Sequence, residues 1–218
     1  MSIIGVRKMD SHRIEFFGLP GCGKTFLVEK ITGKDRKTLS QKATNKYLQM
    51  IKKLSKFSPT SLYYKFRLRK ILANSTKHHK YHDTNWNDML DSIVLVASAY
   101  KMRAGGKGVL DEGIVQRTIS FAINYDLDVQ TIIKILESFE SLFQTTDVIF
   151  VEISSEEAFK SIKKRNRKES KMDFFSDETL LDYLKKYEVV CKEIAEHFHF
   201  KTLHRNDFGQ FIEERKIR

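Results

Sequence analysis

The stretch Gly18-Leu19-Pro20-Gly21-Cys22-Gly23-Lys24-Thr25 fits the spacing G-x-x-x-x-G-K-[ST], in which each residue type has a role on a phosphate chain. Glycines at positions 18, 21 and 23 let the backbone take positive φ and approach an anion without a Cβ clash. Successive N–H groups then converge at a helix N-terminus whose dipole favours negative charge. Lys24 supplies a mobile cation for the β- and γ-phosphates, and Thr25 a hydroxyl for Mg²⁺. Cys22 and Phe26 complete the loop and the first helical turn, and they join the expected nucleotide-contacting set. The chemistry implied is the binding of a nucleoside triphosphate, taken as ATP, together with Mg²⁺.

Three further sets of residues suit that chemistry. Asp111 follows the apolar pair Val109-Leu110. An acid at the carboxyl end of a parallel strand lies in the crevice where ligands bind. There it either holds Mg²⁺ through water or takes a proton from an attacking hydroxyl. Glu112 and Arg117, one turn apart, are placed to contact an anionic acceptor, with Gln116 as a weaker neighbour. Arg165 and Arg167 end a basic stretch whose guanidinium groups would neutralise charge developing on a transferred phosphoryl group. His78, His79 and His82 lack the spacing of a zinc site and read as an exposed loop.

Elements must bring these residues together. Arg13 to Phe17 reads as a strand, and Phe26, Leu27, Val28 and Ile31 as a helix stopped by Gly33. Lys37 to Ser40 is a weak second strand. Two basic helices follow between Gln41 and Ser75, the second opening at Pro59, with Leu62, Phe66, Ile71 and Leu72 on its apolar side. A loop runs from Asn74 to Asn85, a buried helix from Trp86 to about Arg103, and a short strand from Lys107 to Asp111. Helices from Ile114 to Asn124 and Val129 to Phe143 precede the apolar strand Asp147 to Ile153. A helix from Ser155 to Lys164, a polar loop to Ser176, a long helix from Asp177 to His197, a strand from Phe198 to Leu203 and a short terminal helix complete the chain. Strands alternating with helices mean an α/β fold built on a parallel sheet.

Composition sets the bounds. A chain of 218 residues with 41% hydrophobic content suits one domain with a real core. Two cysteines make no disulfide framework and suit a reducing compartment. Met1 to Asp10 has no apolar leader-like run, and no stretch reaches the ~18 apolar residues of a membrane span. The expectation is a soluble, cytoplasmic protein. The net charge of +11 is concentrated: Lys34 to His82 holds fourteen basic residues against one acid, Asp35.

The segments GLPGCGKT, VLDEG and VIFVEISSEEAFKSIKKRNRKES are similar, in type and order, to those of the nucleoside and nucleotide kinase group. The last resembles the strand, helix and arginine-bearing lid of thymidylate kinases. The resemblance implies a three-layer P-loop fold, with a parallel sheet of about five strands and helices on both faces. It also implies a lid, here residues 165–176, and a separate acceptor-binding region; residues 34–84 are either a basic helical insertion or that acceptor-binding region. Lys24 and Thr25 then match the phosphate-loop pair, Asp111 the acid of the second motif, and Arg165 and Arg167 the lid. Where the group commonly follows that acid with an arginine, this chain has Glu112 and Gly113.

Three classes of function fit. One is a kinase that passes the γ-phosphoryl group of ATP to a small-molecule acceptor such as a nucleoside or nucleotide. Another is a polynucleotide 5′-hydroxyl kinase or related nucleic-acid enzyme, whose 34–82 segment tracks a phosphate backbone between aromatic residues. The third is a nucleotide-binding switch without phosphoryl transfer.

Overall fold

The computed structural model describes residues 13–34, 58–102, 108–165 and 171–215. Its sheet is wholly parallel, in the order β2-β1-β3-β4, formed by β1 (Arg13–Phe17), β2 (Val109–Leu110), β3 (Thr146–Glu152) and β4 (Lys201–His204). The expected sheet of about five strands is thus four among the described residues. The remaining expected strand, Lys37 to Ser40, lies outside them, as does the first basic helix of the insertion. β1 is interior, with Ile14 opposite both Val109 and Asp147. Burial on both faces explains why its five residues are all shielded from water.

Adjacent strand residues point to opposite faces, so β1 shows what covers each side. Phe16 meets Phe211 of α9 (Phe208–Arg215) edge-on at 5.9 Å. Its neighbour Glu15 meets Tyr100 of α3 (Trp86–Met102) and the start of α4 (Ile114–Asn124). The architecture is therefore three layers, helix, sheet and helix. α4 is buried almost all round. It packs against α3, α5 (Val129–Glu137) and the long α8 (Asp177–His197). No helix among the described residues is long and apolar enough to cross a membrane.

Two expected helices are revised. Val129 to Phe143 is not one helix: it breaks at Ser138-Phe139 and resumes as α6 (Glu140–Phe143). The Ser138 hydroxyl donates back to the Ile135 carbonyl at 2.5 Å, and Phe139 turns in against Tyr64 with ring centroids 4.9 Å apart. α2 (Pro59–Ile71) begins where expected, at Pro59 behind a Ser58 side chain that accepts the Ser61 N–H. Its core stripe, however, is Ser61, Tyr64 and Leu68, continued by Leu72. Leu62 and Phe66 are turned to solvent at 52% and 72% exposure, with Tyr63 beside them. The last strand starts later than expected, because Phe198 caps α8 and His199 takes a positive φ before the chain enters β4.

Candidate functional site: a phosphate loop beside an acid

β1 ends at Phe17, and the chain turns through Gly18 to Gly23 into α1 (Lys24–Thr32). Gly18, Gly21 and Gly23 all have positive φ. At Gly18 the need for glycine is steric as well, since a Cβ would lie 2.5 Å from the Val151 carbonyl oxygen. No side chain caps α1 and its first turn carries no acid, so the helix dipole and the first-turn N–H groups remain for an anion. Lys24 folds back on the loop, its ammonium donating to the carbonyls of Gly18 at 2.9 Å and Leu19 at 3.0 Å. Cys22 is fully buried, its sulfur 3.5 Å from that ammonium, and fills the loop from inside. Phe26 is 46% exposed and stacks on Phe208.

β2 lies beside β1 in parallel, so the residues leaving the two strands meet. Thr25 donates its hydroxyl to Asp111 Oδ2 at 2.9 Å. This joins two positions 86 apart in sequence and sets a hydroxyl and a carboxylate oxygen side by side. Hard oxygen donors of this kind suit Mg²⁺, which commonly takes one or two protein oxygens and keeps its other positions for water and phosphate. The two residues fit the ion the loop calls for.

Behind this pair lies a buried polar network. Glu15, fully buried in β1, accepts hydrogen bonds from the Tyr100 hydroxyl at 2.8 Å and from the Val115 N–H at 2.7 Å. It thereby caps the N-terminus of α4 from the neighbouring strand. Burial pushes its carboxyl above the usual range, against the opposing pull of those bonds. Gln116, on the next residue of α4, accepts the Gly18 N–H at 2.9 Å and donates to the Tyr187 hydroxyl at 2.6 Å.

The other expected site residues fall on two sides. Arg165 ends α7 (Ser155–Arg165) and reaches Asp173 of the 3₁₀ turn Lys171–Phe174 at 3.3 Å. Its Nε is buried and meets no hydrogen-bond partner among the described residues. Arg167 lies outside the described residues. Glu112 and Arg117 find each other, at 3.3 Å between Oε2 and Nη2. Arg117 also lines an open cleft of about 450 Å³ with Asp83, Asp88, Ser92 and Lys171.

One wall of that cleft is the loop expected to be exposed, and for His82 the expectation fails. His78 and His79 are exposed, but His82 is half-buried and stacks on Phe175 at 4.9 Å. Burial, then the nearby Lys171, lowers its pKa. The loop is tied to the end of α4: Lys80 N–H donates to the Asn124 carbonyl and His82 N–H to Asn124 Oδ1. Asn124 Nδ2 in turn donates to the His82 carbonyl, and the Tyr125 hydroxyl to that of Thr84.

Gln116, Tyr187 and Arg205 are the residues that sequence reasoning undervalued. Arg205, just past β4, donates to the Gly21 carbonyl at 3.2 Å and to the Ser161 hydroxyl at 3.3 Å. For Gln116 the visible signal was an amide in the first turn of the helix that follows Asp111. Nothing local marks Arg205, which meets the loop across 184 positions.

No protein-family model matches the chain, and no curated protein does. Among solved structures, a deoxyadenosine kinase from M. mycoides with bound dCTP is similar at 16% identity and a TM-score of 0.49, over 93% of this chain and 97% of that one. The form with bound dATP gives 19% identity and a TM-score of 0.45, over 93% and 96%. Likeness at this level bears on neither site nor substrate, so the functional reading rests on this chain's own residues.

Proposed function

We propose that this chain is an ATP-dependent phosphotransferase acting on a small-molecule acceptor, with a nucleoside or nucleotide as the acceptor class. The observation that carries the reading is the Thr25–Asp111 contact of 2.9 Å beside an uncapped helix N-terminus. It joins a loop that can hold phosphates to an acid at the neighbouring strand end. ATP is the phosphoryl donor; Thr25 and Asp111 would hold Mg²⁺, which would neutralise part of the triphosphate charge.

The chain's own residues do the rest. Loop N–H groups hold the phosphate oxygens. Lys24 exchanges its carbonyl partners for the β- and γ-phosphates, where a point charge meets the charge that builds up during transfer. Asp111 serves the metal in preference to the proton, because its Oδ2 is already engaged by the hydroxyl of Thr25. Residues 165–176 act as the lid: Arg165, resting on Asp173, turns to the triphosphate as a stronger anionic partner. The acceptor side comes from the 34–84 region, with Arg117 in the cleft beside Asp83.

Lys24→Ala tests this reading, since the ammonium meets loop carbonyls and a sulfur and carries no part of the core. The variant should fold, keep its thermal midpoint and lose most ATP affinity and turnover. A folded variant with undiminished ATP binding and turnover would sink the proposal.

A second reading, polynucleotide 5′-hydroxyl kinase, is favoured by the solvent-turned Leu62, Tyr63 and Phe66 among Arg67, Arg69 and Lys70. An acceptor screen with labelled ATP that includes 5′-hydroxyl oligonucleotides separates the two. Nucleoside or nucleotide product supports the first, and labelled oligonucleotide the second.

A further inference from the structure

Gln116 is a neutral amide only 6% exposed, yet both ends of its side chain are used. Its Oε1 accepts the Gly18 N–H at 2.9 Å, and its Nε2 donates to the Tyr187 hydroxyl at 2.6 Å. The partners stand 98 positions before it and 71 after it. Gly18 in turn accepts from the Lys24 ammonium through its carbonyl at 2.9 Å. One glycine is thus held by Gln116 through its N–H while it holds the loop lysine through its C=O.

Gly18 has little freedom to find another arrangement. Its φ is +147°, and the Val151 carbonyl stands where a Cβ would be. The Tyr187 hydroxyl also bonds Ser120 Oγ at 2.8 Å, so the far end of the amide is anchored twice. Tyr187 belongs to α8, which starts directly after the turn that carries Asp173, the partner of Arg165. The amide is therefore the bolt between the phosphate loop and the helix that continues the lid.

We propose that Gln116 is a positioning residue for nucleotide binding: by taking the Gly18 N–H it fixes which loop amides remain for phosphate and where Lys24 starts. This rests on the nucleotide-binding part of the proposed function. A merely structural anchor would change stability alone, whereas a positioning residue changes the affinity of the folded protein.

The test compares Gln116→Met, of similar length but without the acceptor, with Ser138→Ala, which removes a buried hydroxyl bond to the Ile135 carbonyl outside the phosphate loop. ATP affinity is measured by calorimetry and the thermal midpoint alongside. Gln116→Met should bind ATP about tenfold more weakly, a difference of about 1.4 kcal/mol. Ser138→Ala should stay within about threefold of wild type whatever its midpoint does, about 0.7 kcal/mol on the same scale. Should Gln116→Met not fold, Gln116→Asn keeps the amide but falls one methylene short of Gly18, and it carries the same expectation. A folded Gln116 variant with wild-type ATP affinity overturns the inference, even if its midpoint has dropped. Wild-type protein that binds ATP but phosphorylates no acceptor overturns the kinase reading alone and leaves the affinity comparison to decide this one.

Discussion

Gly113→Ala is expected to be among the most damaging single-methyl additions to this chain. Gly113 has an ordinary φ of −87°, so the backbone would accept alanine. The space would not: the new Cβ would lie 2.1 Å from Glu15 Cδ, 2.3 Å from its Oε2 and 2.4 Å from the Tyr100 hydroxyl. Glu15 has no route to water, because it is fully buried at the centre of β1. Relief requires the carboxyl to leave the Tyr100 hydroxyl or the Val115 N–H. Losing one charge-assisted bond costs about 1.5–3 kcal/mol and overpacking about 1–3 kcal/mol, so about 4 kcal/mol is expected. Urea unfolding gives the number. Adding Gly113→Ala to Glu15→Ala, where the obstructing carboxyl is gone and the Tyr100 hydroxyl it held is free to move aside, should cost less than adding it to wild type, a non-additivity reserved for groups in contact. Gly108→Ala is the control, as nothing among the described residues lies within 4 Å of its added Cβ. Wild-type stability in Gly113→Ala would refute the geometry assigned to the whole buried network.

Two further outcomes follow from the site. Asp111→Asn is expected to raise the Mg²⁺ concentration needed for half-maximal turnover; a loss of about 10²-fold that saturating Mg²⁺ does not relieve would make Asp111 the proton acceptor instead. Glu15 holds its proton more tightly folded than unfolded, so its contribution to stability is present below its ordinary value of 4.5 and is lost as pH rises through the folded value. Glu15→Gln removes that loss, and urea midpoints of the variant should gain on wild type as pH rises above 4.5; parallel profiles would contradict the burial argument.

The sequence was most legible where the chemistry is local. Lys24 and Thr25 follow their glycines within one loop, and the apolar strand before Asp111 is enough to place it beside them. α8 was legible end to end, since Ser176 caps it and its apolar stripe is regular. α2 was misread because two stripes at helical spacing overlap on it: Leu62 with Phe66, and Ser61 with Tyr64 and Leu68. Spacing alone ranks the first stripe higher. The fold chooses the second, because Tyr64 meets Phe139 and Ser61 hydrogen-bonds Ser98 of α3 at 2.7 Å. The links that complete the loop, from Gln116, Tyr187 and Arg205, depend on which distant elements become neighbours, and no local pattern carries that.

The segment from Lys80 to Thr84 belongs to no helix or strand, yet its backbone is bonded at Lys80, His82 and Thr84 by Asn124 and Tyr125. Amide exchange at Lys80 and His82 should accordingly be slow, closer to that of a strand than of a connecting loop. The neighbouring Asp83 forms one side of the open cleft. A ligand settling against it would surrender its own freedom of rotation without having to freeze this part of the protein as well, which strengthens binding at a given contact area. Selectivity on that side would come from a mould already set, discriminating by the shape and charge of what arrives.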